Sequence, residues 1–308
     1  MRHLRIGTRG SLLAKWQAEH VRKQLFAASG VEAEIVIVKT SGDKMQTSAL
    51  TQIGGKGVFI KELEDALLEE SIDLAVHSVK DVPTDTPSRL TFPAVCRRDD
   101  VRDCLVAANG ATLALLRQGA RVGTGSLRRQ AQLRHLRPDL DVRDLRGNVD
   151  TRLRKVESGE YEAVMLSKAG LDRLGWSQRI TETFSPEVFL PAVGQGAIVV
   201  QCRLRDTEAA AMVGELDDAE TRTAIIAERA LLSALQGGCQ VPIGAWARSE
   251  GSEFVLEACV CSVDGAQYVK QRAAAPPEQA AELGQHMARL LIDAGAGEIL
   301  EEVSRQRG

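Results

Sequence analysis

Leu190-Pro191-Ala192-Val193-Gly194-Gln195-Gly196, followed at once by the apolar run Ala197 to Cys202, decides how this chain is organised. Proline and two glycines mark a loop. The run after them has the length and apolar character of a buried strand. It follows a finished series of strands and helices, so it reads as the chain's return to an earlier sheet. A chain that leaves one lobe and comes back has two crossings. That layout predicts two lobes with a cleft between them.

Upstream, short apolar segments alternate with amphipathic ones, which predicts an α/β architecture with largely parallel sheets. Leu4 to Gly7 reads as a strand, Ser11 to Ala28 as a helix and Glu32 to Val38 as a strand. Residues 41 to 56 are polar, Gly-rich and without period, and read as a loop. A helix over Val58 to Glu70 and a strand over Ile72 to His77 follow. Arg97-Arg98-Asp99-Asp100 marks a hinge. Beyond it, strands centre near Leu105, Val122, Val142 and Val164. Downstream of the return the pattern changes. A helix over Ala219 to Leu235 stops at Gly237-Gly238. Strands near Ala245, over Val255 to Val263 and over Tyr268 to Ala273 come next, with a turn at Asp264-Gly265. A last helix runs from Pro277 to Ala294. The expected domains are therefore 1–98 with 195–216, then 102–190, then a small α+β domain over 219–308.

Composition narrows the function classes. At 308 residues the chain is too long for one ordinary core. No apolar run approaches the roughly 20 residues that span a bilayer. The start, Met1 to Gly7, has no signal-peptide apolar region, so a cytoplasmic location is expected. The six cysteines form no C-x-x-C pair and no zinc-spaced cluster, so no metal is expected. A net charge of −3 argues against a general nucleic-acid binder. Yet nine arginines stand against four aspartates between Arg121 and Arg154, a local charge of +5. Arginine suits bidentate capture of carboxylate or phosphate, which points to a small polyanionic ligand.

Three strand-to-helix turns combine small residues with arginine. They are Gly7-Thr8-Arg9-Gly10-Ser11, Gly123 to Arg129, and Arg146-Gly147-Asn148-Val149-Asp150-Thr151-Arg152. Ser11, Ser126 and Asn148 stand where N-caps belong. Arg128, Arg129 and Arg152 then fall near helix starts, where the dipole disfavours a cation unless an anion is also present. A solvated arginine at a loop tip is the alternative for any one turn. His77-Ser78-Val79-Lys80-Asp81-Val82-Pro83 ends an apolar strand, and Pro83 holds Val82 extended. Lys80 and Asp81 thus sit at the carboxyl end of that strand, where α/β sheets bind ligands. Asp81 is a candidate acid/base or cation stabiliser; a capping aspartate is the alternative. Gly237-Gly238-Cys239-Gln240 places one cysteine on a Gly-rich loop with its sulfur approachable. A small buried hydrophobe is the other reading of Cys239.

Taken together, Gly54 to Phe59, His77 to Pro83, Gly123 to Gln130, Asp144 to Leu153, Leu190 to Ala197 and Gly237 to Gly244 resemble the porphobilinogen deaminases. The resemblance covers nearly the whole chain. It implies two lobes like type II periplasmic binding proteins plus a small α+β C-terminal domain. It implies a cytoplasmic, monomeric transferase of tetrapyrrole biosynthesis that joins four porphobilinogen units into hydroxymethylbilane with loss of ammonia. The growing polypyrrole chain is held on a dipyrromethane cofactor bound through a thioether to Cys239. By position, Asp81 is the catalytic carboxylate. Lys80, Asp81, Ser126, Arg128, Arg129, Arg146 and Gly147 match cofactor-binding residues. Arg9, Ser11, Lys56, Phe59, Arg146, Arg152, Arg173 and Gln195 match substrate-binding residues, with Lys56 and Phe59 on the segment that resembles the family's lid. The acetate and propionate groups of such a substrate account for an arginine-rich site. Three departures are Gly125 where serine is common, Asp150 where glycine is common, and Ser167-Lys168 where small apolar residues are common. The rival expectation is a two-lobed small-anion binding or ligand-sensing protein.

Overall fold

A computed structural model describes residues 3–39, 60–235 and 241–305. In chain order the strands are β1 (Leu4–Thr8), β2 (Ala33–Ile37), β3 (Leu74–Ser78), β4 (Leu90–Val95), β5 (Asp103–Ala107), β6 (Arg121–Gly123), β7 (Asp141–Arg143), β8 (Ala163–Ser167), β9 (Glu182–Thr183), β10 (Ile198–Arg203), β11 (Ile243–Glu250), β12 (Glu253–Cys261) and β13 (Tyr268–Ala275). The helices are α1 (Leu12–Ser29), α2 (Lys61–Leu68), α3 (Leu127–Leu136), α4 (Val149–Glu157), α5 (Lys168–Arg173), α6 (Thr207–Gly214), α7 (Ala219–Ala234), α8 (Ala280–Leu291) and α9 (Gly297–Arg305). The chain divides into two compact units. Residues 1–99 with 196–222 form one, and residues 100–195 with 223–308 form the other.

The first unit holds a five-stranded sheet in the order β2-β1-β3-β10-β4. Its centre is apolar on both faces, so β10 is buried at every position. Ala18, Val21 and Leu25 of α1 cover one face with Leu4, Ile6, Leu74 and Val76. Leu63, Ala66 and Leu67 of α2 cover the other with Ile72 and Ala75.

The second unit repeats that plan as β7-β6-β8-β5-β9. Here the two-residue period of a strand is plain. Leu105, Ala107, Ala163 and Met165 enter one core, while Cys104, Val106, Val164 and Leu166 enter the other. In both sheets a strand that follows a crossing, β10 or β5, is antiparallel to the parallel trio it joins. Both lobes thus share one mixed five-stranded plan. The expectation of largely parallel sheets is corrected by it. Half the strand pairings are antiparallel, because a strand returning from the other unit enters from the opposite end.

The same unit carries a three-stranded antiparallel sheet, β11-β12-β13. Ala245, Phe254, Leu256 and Val260 pack against Ala227 and Leu231 of α7 and Leu283, Met287 and Leu291 of α8. The last helix is longer than its apolar pattern predicts. Gly295 takes φ 101 and kinks the chain, and α9 then continues to Arg305. Arg134 on α3 donates to the Val263 carbonyl at 2.6 Å, and the His135 ring stacks on Tyr268 at 4.6 Å. The small sheet is thus fastened to the second lobe. No helix among the described residues is long and apolar enough to cross a membrane.

Candidate active site

In the first unit, β1 and β3 are parallel neighbours, so their carboxyl ends share one edge of the sheet. Arg9 and Ser11 follow β1. The Ser11 hydroxyl accepts from the Ala14 amide at 3.2 Å and caps α1, as its place predicts. Its own proton remains available to an acceptor. After β3 the chain makes one short turn over Val79–Asp81, and Val82 is extended (φ −81, ψ 122) before Pro83. Asp81 is exposed on that turn, beside half-buried Lys80. Beneath them His77 is buried. Its Nε2 meets the Gln201 Oε1 at 3.0 Å, and the Gln201 amide donates to Glu64 at 2.9 Å. Burial pushes the His77 imidazole down to about 4, outweighing the Gln201 bond, and the Arg9 charge pushes the same way. The turn that presents Asp81 therefore rests on a neutral, hydrogen-bonded floor at pH 7.

In the second unit, β6 ends at Gly123 and α3 begins at Leu127, with Ser126 as its cap over the Arg129 amide. Arg128 and Arg129 lie in the first turn, as expected, but both are buried. The anion beside them belongs to the protein. Asp103, fully buried at the start of β5, accepts from Arg128 Nη1 at 2.7 Å and Arg129 Nε at 2.8 Å. Gln195 donates to the same carboxylate at 3.0 Å and to the Val101 carbonyl at 2.7 Å. Burial pushes the Asp103 carboxyl up, and the two arginines more than reverse this, to about 2. Arg128 also donates to the Leu190 carbonyl at 2.7 Å, while Gln132 brackets Leu190 with bonds of 3.0 and 2.8 Å. The Arg128 Nε is buried without a partner.

Sequence reading passed over Asp103 because it stands beside the hinge and reads as surface charge. Its signal was an acid directly before the apolar run Cys104 to Ala107. The return loop supplies both Leu190 and Gln195.

The arginine excess is also less free than its count implies. Arg137 pairs with Asp139, Arg143 and Arg121 with Asp141, Arg146 with Asp144, and Arg154 with Asp150. Most of these pairs are exposed and weak. Arg146 stands half-exposed on the loop after β7. Arg152 folds back from α4 to the Gly147 carbonyl at 2.8 Å. Asn148 occupies the cap position, but its side chain makes no capping bond, which corrects that expectation. Arg173 is buried at the end of α5. Lys168, one of the departures, pairs with Asp172 at 2.5 Å. Lys56, Phe59 and Cys239 lie outside the described residues, as do the loop over residues 41 to 56 and the glycine stop at 237–238. The strand that follows the cysteine loop is described. Gly244 on β11 fits so closely that a Cβ there would meet Leu190 Cβ at 2.7 Å. Buried Glu228 on α7 ties the return loop to this strand, accepting from the Gly194 amide at 2.7 Å and the Ala247 amide at 2.9 Å. Sequence reading gave Glu228 no role.

Residues 4–211 match the family model described as "Porphobilinogen deaminase, dipyromethane cofactor binding domain", and residues 222–293 match that of its C-terminal domain. A curated porphobilinogen deaminase of Syntrophobacter fumaroxidans is 46% identical over 99% of both chains. One from Syntrophotalea carbinolica is 48% identical over 96% of this chain and 95% of its own. The chain belongs to the porphobilinogen deaminase family. It is thus related to enzymes over nearly its full length, and the rival reading as a binding module is not favoured. Among solved structures it is similar to an arginine-specific periplasmic binding protein of Salmonella typhimurium, with a TM-score of 0.40 and 14% identity over 72% of this chain and 94% of that one. It is similar also to the methionine binding protein MetQ, with a TM-score of 0.43 and 12% identity over 70% of this chain and 89% of that one.

Proposed function

We propose that this protein is a cytoplasmic, monomeric transferase that joins four porphobilinogen units into hydroxymethylbilane and releases ammonia. The observation that carries the reading is the buried, unpartnered Nε of Arg128, in a region matching the family's cofactor-binding domain. The Arg121 Nε and Arg248 Nη1 are also buried without an acceptor, but Arg128 differs from both in standing at the first turn of α3, where a ligand carboxylate fits. Dipyrromethane, held through Cys239, would supply the free pyrrole α-carbon to which the first unit is joined, and each later unit would join the free α-carbon of the unit before it.

The chain's own residues do the rest. Arg128, Arg129, Arg146, Lys80, Ser126 and Gly147 hold cofactor carboxylates. Arg9, Ser11, Arg146, Arg152 and Arg173, with Lys56 and Phe59, hold the substrate. The capping hydroxyls of Ser11 and Ser126 accept from the backbone, so each keeps a proton to donate. Asp81 places a carboxylate beside the pyrrole nitrogen, where positive charge develops as ammonia leaves and as the new bond forms. We assign Gln195 to bracing Asp103, since its amide is engaged there.

Intact mass of the purified protein, with Ehrlich's reagent, tests the reading. The expected result is a covalent dipyrrole mass and pyrrole colour, both lost in Cys239→Ser. Full turnover by Cys239→Ser, or wild-type protein without the added mass, would overturn it.

A further inference from the structure

Arg128 and Arg129 are not equivalent. Arg129 turns its Nε and Nη2 to Asp103 Oδ1, at 2.8 and 2.6 Å, and gives Nη1 to the Met165 carbonyl at 3.2 Å. Arg128 is held from its other side. Its Nη1 serves both Asp103 Oδ2 and the Leu190 carbonyl, each at 2.7 Å. A guanidinium is planar, so fixing Nη1 in two directions fixes where Nε points. That Nε belongs to the edge a carboxylate takes side-on, and it is one of the buried donors without a partner among the described residues.

We infer that Asp103 is a positioning residue, which locks Arg128 so that its Nε edge is presented to a cofactor carboxylate; the inference rests on the function proposed above. Three features make it more than charge compensation. Asp103 is fully buried, so its geometry is set by packing. Each of its oxygens has a separate task, Oδ2 holding Arg128 and Oδ1 holding Arg129 and Gln195. It stands opposite Ser167 at the carboxyl end of β8, the edge from which α3 begins its first turn. Two arginines and one aspartate leave the trio with a net positive charge, which suits one carboxylate of the ligand.

The test uses apo protein, porphobilinogen as the probe, and intact mass to follow attachment of dipyrromethane. Asp103→Asn removes the charge, and Asp103→Glu keeps it while moving it by a methylene. Each is compared on its folded fraction, isolated by gel filtration. Asp73→Glu, at a second buried aspartate held by two arginines, is the control for general damage to the fold. The expected result is at least tenfold slower loading in both Asp103 variants, with Asp73→Glu loading near the wild-type rate. Asp103→Glu is the decisive arm, because its charge balance is intact and it stays folded if charge alone matters to the fold. Loading at the wild-type rate by Asp103→Glu, or equal slowing in Asp73→Glu, would overturn the inference. Wild-type protein that never gains the mass would instead count against the proposed function.

Discussion

Two buried aspartates, each held by two arginines, stand at opposite edges of similar sheets. Asp73 precedes β3 at the amino edge of the first sheet. There Arg5 and Arg203 hold it at 3.0 and 2.9 Å, and Arg203 also reaches the Leu67 and Ile72 carbonyls and Asp206. Asp103 begins β5, which runs antiparallel to β8 and so starts at the carboxyl edge of the second sheet. In the first cluster none of the four side chains has a buried nitrogen or oxygen without a partner. In the second, the Arg128 Nε is buried without one. Buried ion pairs by themselves say little about function, since desolvation opposes their attraction. The unfilled donor and its place at the carboxyl edge separate a site from a brace.

Truncating one arginine in each cluster gives the largest contrast. Arg203→Leu leaves Asp73 short of a partner and should cost roughly 3–5 kcal/mol in urea unfolding, with cofactor loading intact in the folded fraction. Arg128→Leu strips Asp103 in the same way and should cost a similar roughly 3–5 kcal/mol, but its folded fraction should lack the dipyrromethane mass. Loss of loading in Arg203→Leu, or full loading in Arg128→Leu, would erase the distinction.

Asp81 sharpens it at the first sheet. It too lies at a carboxyl edge, but exposed, so Asp81→Asn should leave unfolding unchanged. Turnover should fall about 10²–10⁴-fold, the range for loss of a positioned acid/base. Asp81→Glu should retain more activity than Asp81→Asn, because it keeps the charge. The reverse order in a steady-state assay would count against a role in stabilising positive charge.

The buried titratable groups beneath the two carboxyl edges differ as well. His77 is neutral at pH 7 and Asp103 is charged. The folded pKa of His77, about 4, lies below the ordinary imidazole value of 6.5. Its stabilising effect is therefore full above 6.5 and is lost as pH falls toward 4, by about 3 kcal/mol. Asp103, at about 2 against 3.8, loses its contribution only at lower pH. Acid should thus loosen the first unit before the second. Urea midpoints between pH 7 and 4 check this, and a His77→Gln variant with the wild-type pH slope would show that the histidine is not responsible.

Much of this was legible from residues. Strand-to-helix turns carry local signals, so Ser11, Ser126 and the extended Val82 before Pro83 could be placed from caps and proline alone. The return strand was visible because a largely apolar run after a Gly-Pro loop, broken only by Gln201, has few other uses. Strand direction was not, since antiparallel entry is set by which unit the chain comes from. Asp103 was missed for a related reason. Its partners are 25, 26 and 92 residues away, and a charged residue near a hinge looks solvated until tertiary contacts bury it. The +5 segment misled in the opposite sense, because its aspartates lie within reach of their arginines along the same loops.

Gly125 offers the smallest effect and the finest contrast between the two Gly-rich turns. The resemblance implies a serine there, so that the glycine reads as a departure from the family pattern. The structure gives a steric reason for glycine. A Cβ at Gly125 would lie 2.9 Å from the Leu145 carbonyl oxygen, a backbone atom that a side-chain rotation cannot clear. At Gly10, the counterpart in the first lobe, the nearest atom is the Ile37 Cγ2 at 3.9 Å, an ordinary contact. Gly125→Ser should therefore push the loop after β7 away, at roughly 1–3 kcal/mol, as overpacking generally does. Because that loop carries Arg146, the same shift should raise KM for porphobilinogen while leaving cofactor mass in place. Gly10→Ser should change neither stability nor KM by a comparable amount. Equal effects at the two positions, or a Gly125→Ser protein as stable as wild type with a lower KM, would return Gly125 to a simple exchange of a donor for none.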